Sequence, residues 1–143
     1  MIAISVQPSK PEVRTVSFAS TLYLRPILNL LLAEVAPVWR QDIRLGLQEA
    51  LVNAAYHGNC LDPHKRVVVQ FSVTLTHYCW TVIDEGCGFV PQSCSHDCPE
   101  VEHECGRGLF FLREIFDEVE WLPPGNHLRL CKHIRRESRP RLS

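Results

Sequence analysis

The stretch LGLQEALVNAAYHGN, residues 45–59, decides how the chain reads. Leu47, Ala50, Leu51 and Ala54, with Ile43 just upstream, recur at the three- and four-residue intervals of one buried helical stripe. Glu49 and Asn53 stand one turn apart on a flank of that helix, away from the centre of the stripe, because each residue advances about 100°. A core helix needs neither of them. The segment then ends in His57, Gly58 and Asn59, with Gly58 placed as a C-terminal cap. The spacing predicts a helix from near Trp39 to His57 with a polar pair along one edge.

Upstream, VRTVSFA alternates as a strand does. Leu24, Leu28, Leu31, Leu32 and Val35 trace the apolar face of a first helix, which Thr21 is placed to cap, Pro26 enters near its start and Pro37 stops. Downstream, RVVVQFSVTL and CWTVIDEG read as two strands joined at Thr76, His77 and Tyr78. From Gly86 to Gly106 the chain is rich in Pro, Ser, Cys and Gly without a sustained period, and a loop of that length is functional or disordered. GRGLFFLREIF resumes a helix with Leu109, Leu112, Ile115 and Phe116 on one face, and EVEWL and HLRLCKHI close a last hairpin around Pro123, Pro124 and Gly125. Helices can cover only one face of such a mostly antiparallel sheet, so the expected fold is a two-layer α+β sandwich with about three helices. A single domain is expected over residues 12–133, between flexible tails at 1–11 and 134–143.

With 143 residues, 45% of them apolar and 22% charged, the chain has the composition of one soluble globular core. A formal net charge of -1 argues against a phosphate-backbone binder despite the basic run from Lys132 to Arg141, and no direct nucleic-acid role is expected. No stretch approaches the roughly 18 apolar residues of a membrane span, and MIAISVQPSKPEVR lacks the order of a signal peptide. The expected location is therefore cytoplasmic, away from any membrane. Seven cysteines without a secretory signal read as reduced thiols rather than a disulfide framework. Cys94, His96, Cys98, His103 and Cys105 cluster in the long loop, but their spacing departs from the paired C-x2-C zinc pattern, which favours incidental thiols there.

Two further signals bear on Glu49 and Asn53. The strand CWTVID ends in Asp84 and runs into EGCGF, which stands a carboxylate beside Gly86 and Gly88, where a ligand can approach the backbone closely. GRGL, at Gly106 to Leu109, opens a helix with two glycines, and free N–H groups there favour an anion such as phosphate. Taken in this order, EALVNAAYHGN, DEGCGF and GRGLFFL resemble the N box and the two glycine boxes of the GHKL (Bergerat) ATP-binding fold, shared by gyrase and histidine kinases. In length and texture the chain is most similar to the bacterial anti-sigma factors that act as serine kinases and consist of this domain alone. The resemblance covers roughly residues 12–133, with its specificity in the three boxes.

The resemblance implies ATP and Mg²⁺ as cofactors and assigns roles by motif. Asn53 would give its side-chain oxygen to Mg²⁺, which prefers oxygen ligands. Glu49 would be the general base that takes the proton of the attacking hydroxyl. Asp84 would accept a hydrogen bond from the adenine amino group, with Gly86 and Gly88 letting the chain pass close to the nucleotide. The segment from about 90 to 108 would be an ATP lid, and Gly106, Arg107, Gly108 and Leu109 would close over the phosphates. Where the family carries a Gly-Thr pair before the last strand, this chain has Gly125, Asn126 and His127.

The function so implied is that of an anti-sigma factor with ATP-dependent serine/threonine kinase activity. It would bind a sigma factor and phosphorylate a serine on a STAS-domain anti-anti-sigma antagonist, in a partner-switching circuit. Homodimerisation would use the leucine-rich first helix and VRTVSFA. A second reading, of another class, is a binding module that regulates its partner by stoichiometric capture, with ATP as a conformational ligand or not used. A histidine kinase core is disfavoured, since no room remains for a phosphoacceptor helix pair.

Overall fold

Strand β1 (Arg14–Ala19) opens the described chain, which in this computed structural model comprises residues 12–86, 108–123 and 126–134. The expected leader, nearly all of the expected lid with its Cys and His cluster, and all but one residue of the expected C-terminal tail lie outside those residues. Helix α1 (Arg25–Leu31) follows, with Pro26 in its first turn, where a missing N–H breaks no helical bond. Thr21 does not cap this helix. Its hydroxyl accepts the Tyr23 N–H at 3.0 Å, and the capping position falls to Leu24. Pro37, expected as the stop of the first helix, is instead the first residue of the next, α2 (Pro37–Val52). The turn between them is fastened by the Arg40 guanidinium, which donates to the Val35 carbonyl at 2.7 Å, and by the Tyr78 hydroxyl, which accepts the Ala36 N–H at 3.2 Å.

Both apolar stripes fall where their spacing places them. Leu24, Leu28, Leu31, Leu32 and Val35 are buried around α1, and Ile43, Leu47, Ala50, Leu51 and Ala54 are buried along α2 and its extension. Each Leu or Ile withdrawn from water in this way contributes about 1.5–3 kcal/mol. Past Val52 the helix widens into a π-helical segment, Asn53–Gly58, in which the Asn59 N–H reaches back to the Ala54 carbonyl at 2.9 Å. Gly58 is not the cap predicted for it. The left-handed conformation falls on Cys60 and Leu61, at φ 54° and 57°, and the Leu61 N–H closes on the Ala55 carbonyl at 2.8 Å.

Strands β2 (Arg66–Val73), β3 (His77–Ile83), β4 (Glu118–Leu122) and β5 (His127–His133) complete a sheet in the order β1-β2-β3-β5-β4. Every neighbouring pair is antiparallel. The β2–β3 turn falls at residues 74–76, slightly before its expected place, because the Thr74 hydroxyl accepts the N–H groups of Thr76 and His77. Register sets Val69 opposite Val82, Phe71 opposite Trp80 and Trp80 opposite Leu130, which gathers the large apolar side chains on one face. Helices α1, α2 and α3 (residues 108–115) supply the other layer of this α+β sandwich. Trp80 is fully buried at the centre, with the Phe116 ring edge-on at 6.0 Å. A Cβ on Gly46 would stand 2.5 Å from that Phe116 ring, so the end of α3 seats on bare backbone of α2.

The opposite face of the sheet corrects the cysteine expectation. Alternation along the strands turns Cys79 and Cys131 to that face, the register sets them directly opposite, and they form a disulfide with Cα atoms 4.2 Å apart. An odd cysteine count says nothing about a pair that strand pairing itself brings together. Cys60 is a free, exposed thiol.

Candidate active site

Glu49 and Asn53 emerge half-buried from the last turn of α2 and the first residue of its π-helical extension. Such wide turns occur frequently at functional sites. The buried Gly108 lies against both. A Cβ there would stand 2.8 Å from Glu49 Oε2 and 3.7 Å from Asn53 Nδ2. The start of α3 therefore meets the polar pair with backbone alone, and any side chain at residue 108 would displace the Glu49 carboxylate.

Asp84 follows directly on β3, and its Oδ1 accepts the Gly86 N–H at 2.7 Å. Gly58 lies beneath it, since a Cβ on Gly58 would come within 2.5 Å of the carboxylate. Gly86 packs in turn against the Gly58 carbonyl. The glycine expected to end a helix is thus required for the room it leaves an acidic side chain from another element. Burial pushes the Asp84 carboxyl above its ordinary value, while the Gly86 N–H and the charges of His127 and Lys65 pull it back.

Two asparagines hold the turn that carries Asp84. Asn59 is fully buried, and its amide nitrogen donates to Ser20 Oγ at 2.9 Å and to the Arg66 carbonyl at 3.0 Å. Its Oδ1 accepts the Glu85 N–H at 2.7 Å, so one side chain joins the end of β1, the start of β2 and the segment after β3. Asn126 donates from Nδ2 to the Asp84 carbonyl at 2.7 Å. Its own carbonyl accepts the Asp84 N–H at 3.1 Å. The remaining acceptor, Asn126 Oδ1, is buried beside this turn with no partner among the described residues.

The structure thus brings Glu49, Asn53 and Gly108 together, and sets Asp84 and Gly86 against Gly58, at the far end of the same π-helical segment. Leu109 is part-buried in α3, and no described contact joins it to the carboxylates. Gly88, Gly106 and Arg107 lie outside the described residues. The positioning work of Asn59 is the part that sequence reasoning missed. Its one signal, an asparagine directly after the box-ending glycine, is also what a helix end looks like.

A carboxylate and an amide oxygen one turn apart suit a hard, oxygen-seeking cation. Among the described residues no group of three or more His, Cys, Asp or Glu could hold an ion alone, so a cation at Asn53 would take its other ligands from phosphates and water. Among the same residues, no helix is long and apolar enough to cross a membrane. No curated protein matches the chain. A family model described as a histidine kinase-like ATPase domain matches it over residues 23–132.

Proposed function

The chain belongs to the histidine kinase-like ATPase domain family, within the GHKL superfamily, and from that premise we propose that it is an ATP-dependent serine kinase that doubles as an anti-sigma factor. It binds a sigma factor, holds it from RNA polymerase, and phosphorylates a serine of a STAS-domain antagonist that would otherwise release it. The observation that best supports this reading is the contact of Gly108 with both Glu49 and Asn53. It sets the proposed phosphate-binding helix start against the proposed base and the proposed metal ligand.

In this reading Asp84 accepts a hydrogen bond from the adenine amino group, and Asn126 Oδ1, without a partner among the described residues, is a second acceptor close by. Asn53 would ligate Mg²⁺, which would neutralise phosphate charge. Glu49 takes the proton of the serine hydroxyl as its oxygen becomes the nucleophile. The bare backbone at Gly108 keeps the phosphate end close to both.

The deciding experiment incubates the purified protein with Mg²⁺, γ-labelled ATP and a STAS-domain antagonist, and follows label into serine. The expected outcome is stoichiometric phosphoserine, abolished in Asn53→Ala. The alternative, a capture module, draws support from Asn126, whose amide is spent on the Asp84 backbone where the family has a hydroxyl. Inhibition of a sigma factor without any transfer of label would establish that alternative instead.

A further inference from the structure

The sheet face turned away from the helices carries a second cluster, at the ends of β3 and β5 remote from Asp84. Residues two apart on a strand share a face. His77 and Cys79 on β3 therefore share this face with Cys131 and His133 on β5. The register sets His77 opposite His133 and Cys79 opposite Cys131, so a His-x-Cys strand meets a Cys-x-His strand. The result is a rectangle of two thiol and two imidazole side chains, about 4.5–5.5 Å between strands at Cβ and about 6.6 Å along them.

The pairs already touch. The sulfurs are bonded to each other, and the two rings meet edge to face with centroids 4.5 Å apart. Each ring is oriented by a neighbour: His77 Nδ1 pairs with the Thr76 hydroxyl at 2.9 Å and His133 Nε2 with the Glu118 carboxylate at 2.5 Å. Those bonds engage one nitrogen of each imidazole and leave the other for a further partner. A carboxylate on the far ring nitrogen, as Glu118 stands on His133, is how metal-binding histidines are oriented. Cys131 is buried and Cys79 part-buried, while both histidines are exposed at the rim.

We propose that reduction of the Cys79–Cys131 disulfide opens a Cys2His2 site, formed with His77 and His133, for a soft divalent cation, Zn²⁺ foremost. A dithiol reductant supplies two electrons and two protons and leaves as its own disulfide. The S–S bond breaks, and each thiol gives up its proton as it becomes a thiolate ligand. Zinc takes thiolate at about 2.3 Å and imidazole at about 2.0–2.1 Å in a tetrahedron. With the sulfurs joined, no group of three or more such residues among those described is set to hold an ion. Disulfide and metal are therefore alternative states of the same two sulfurs.

The test uses the full chain carrying Cys87→Ser, Cys94→Ser, Cys98→Ser and Cys105→Ser, which silences the four thiols of the long loop. Co²⁺ is titrated as a spectroscopic probe into the reduced and the oxidised protein. The reduced form is expected to bind one equivalent with a thiolate-to-cobalt charge-transfer band, lost on adding Zn²⁺, and the oxidised form to show no such band. Cys79→Ser should weaken and shift that band, and His77→Asn with His133→Asn should lower affinity at least tenfold. Absence of a thiolate band in the reduced protein would overturn the proposal. So would undiminished affinity in the double histidine variant, which, being exposed, tests the site even if Cys79→Ser fails to fold.

Discussion

Around Asp84 the neighbouring backbone is tied down: Asn59 fastens Glu85, Asn126 grips the Asp84 peptide from both sides, and Gly86 donates to the carboxylate. Around Glu49 and Asn53 the construction differs, for what meets their side chains is the bare backbone of Gly108. The first end is a finished cradle whose parts come from β1, β2, β3 and the turn before β5. The second is a pair of polar groups against the start of one helix. On the proposed function, the difference separates two tasks. Selecting a base needs an acceptor fixed before the ligand arrives, whereas phosphoryl transfer needs groups that find their final geometry with phosphate and cation in place.

If that division holds, changes at the open end cost activity and changes at the braced end cost stability as well. The largest effect is expected from Glu49→Ala, a loss of about 10²–10⁴ in phosphate transfer. Urea unfolding of the same variant should move by no more than about 0.5 kcal/mol. A stability loss of several kcal/mol would erase the contrast. Asn59→Ala comes next, with about 2–4 kcal/mol lost in unfolding, because it strands buried partners on three segments, and ATP binding should weaken with it. Gly58→Ala should destabilise by about 1–3 kcal/mol, as its Cβ must push the Asp84 carboxylate from a distance of 2.5 Å. Unchanged ATP affinity in that variant would separate Asp84 from base recognition.

The smallest expected effect is one of sign. The Asp84 carboxyl is raised in the fold, chiefly by burial. Its contribution to stability is therefore fully present below the unfolded value and lost as pH rises through the folded one. At neutral pH the ionised group opposes folding, so Asp84→Asn should unfold at a higher temperature than the parent when nucleotide is absent. The advantage should vanish in acid. A variant less stable at neutral pH would mean that the Gly86 N–H, His127 and Lys65 outweigh the burial.

Much of the fold was legible because it rests on periodicity. The stripes around α1 and along α2 are long enough to declare themselves, and strand alternation placed Val69, Phe71, Trp80 and Val82 on one face. Turn positions shifted by a few residues where hydroxyls such as those of Thr21 and Thr74 made local bonds that no period encodes. Glu49, Asn53 and Asp84 drew notice because carboxylates and amides stand out against apolar patterns, and the roles proposed for them come from the motif resemblance. Gly58 was misread because the carboxylate it accommodates lies 26 positions away, from 58 to 84, and only the fold brings the two together. The disulfide escaped for the same reason. His-x-Cys and Cys-x-His were visible as words, but their pairing depends on β5 crossing to lie beside β3.

The π-helical segment Asn53–Gly58 also acts as a phase adjuster. Removing one residue from a regular helix turns everything beyond it by about 100°, and this wider stretch is where α2 takes up such a difference before handing the chain to Asn59. A single-codon deletion between Ala54 and Gly58 would leave Glu49 and the apolar stripe in place. It would also swing Asn59 away from Ser20, Arg66 and Glu85. In that segment, length itself is under constraint, independently of which residues fill it.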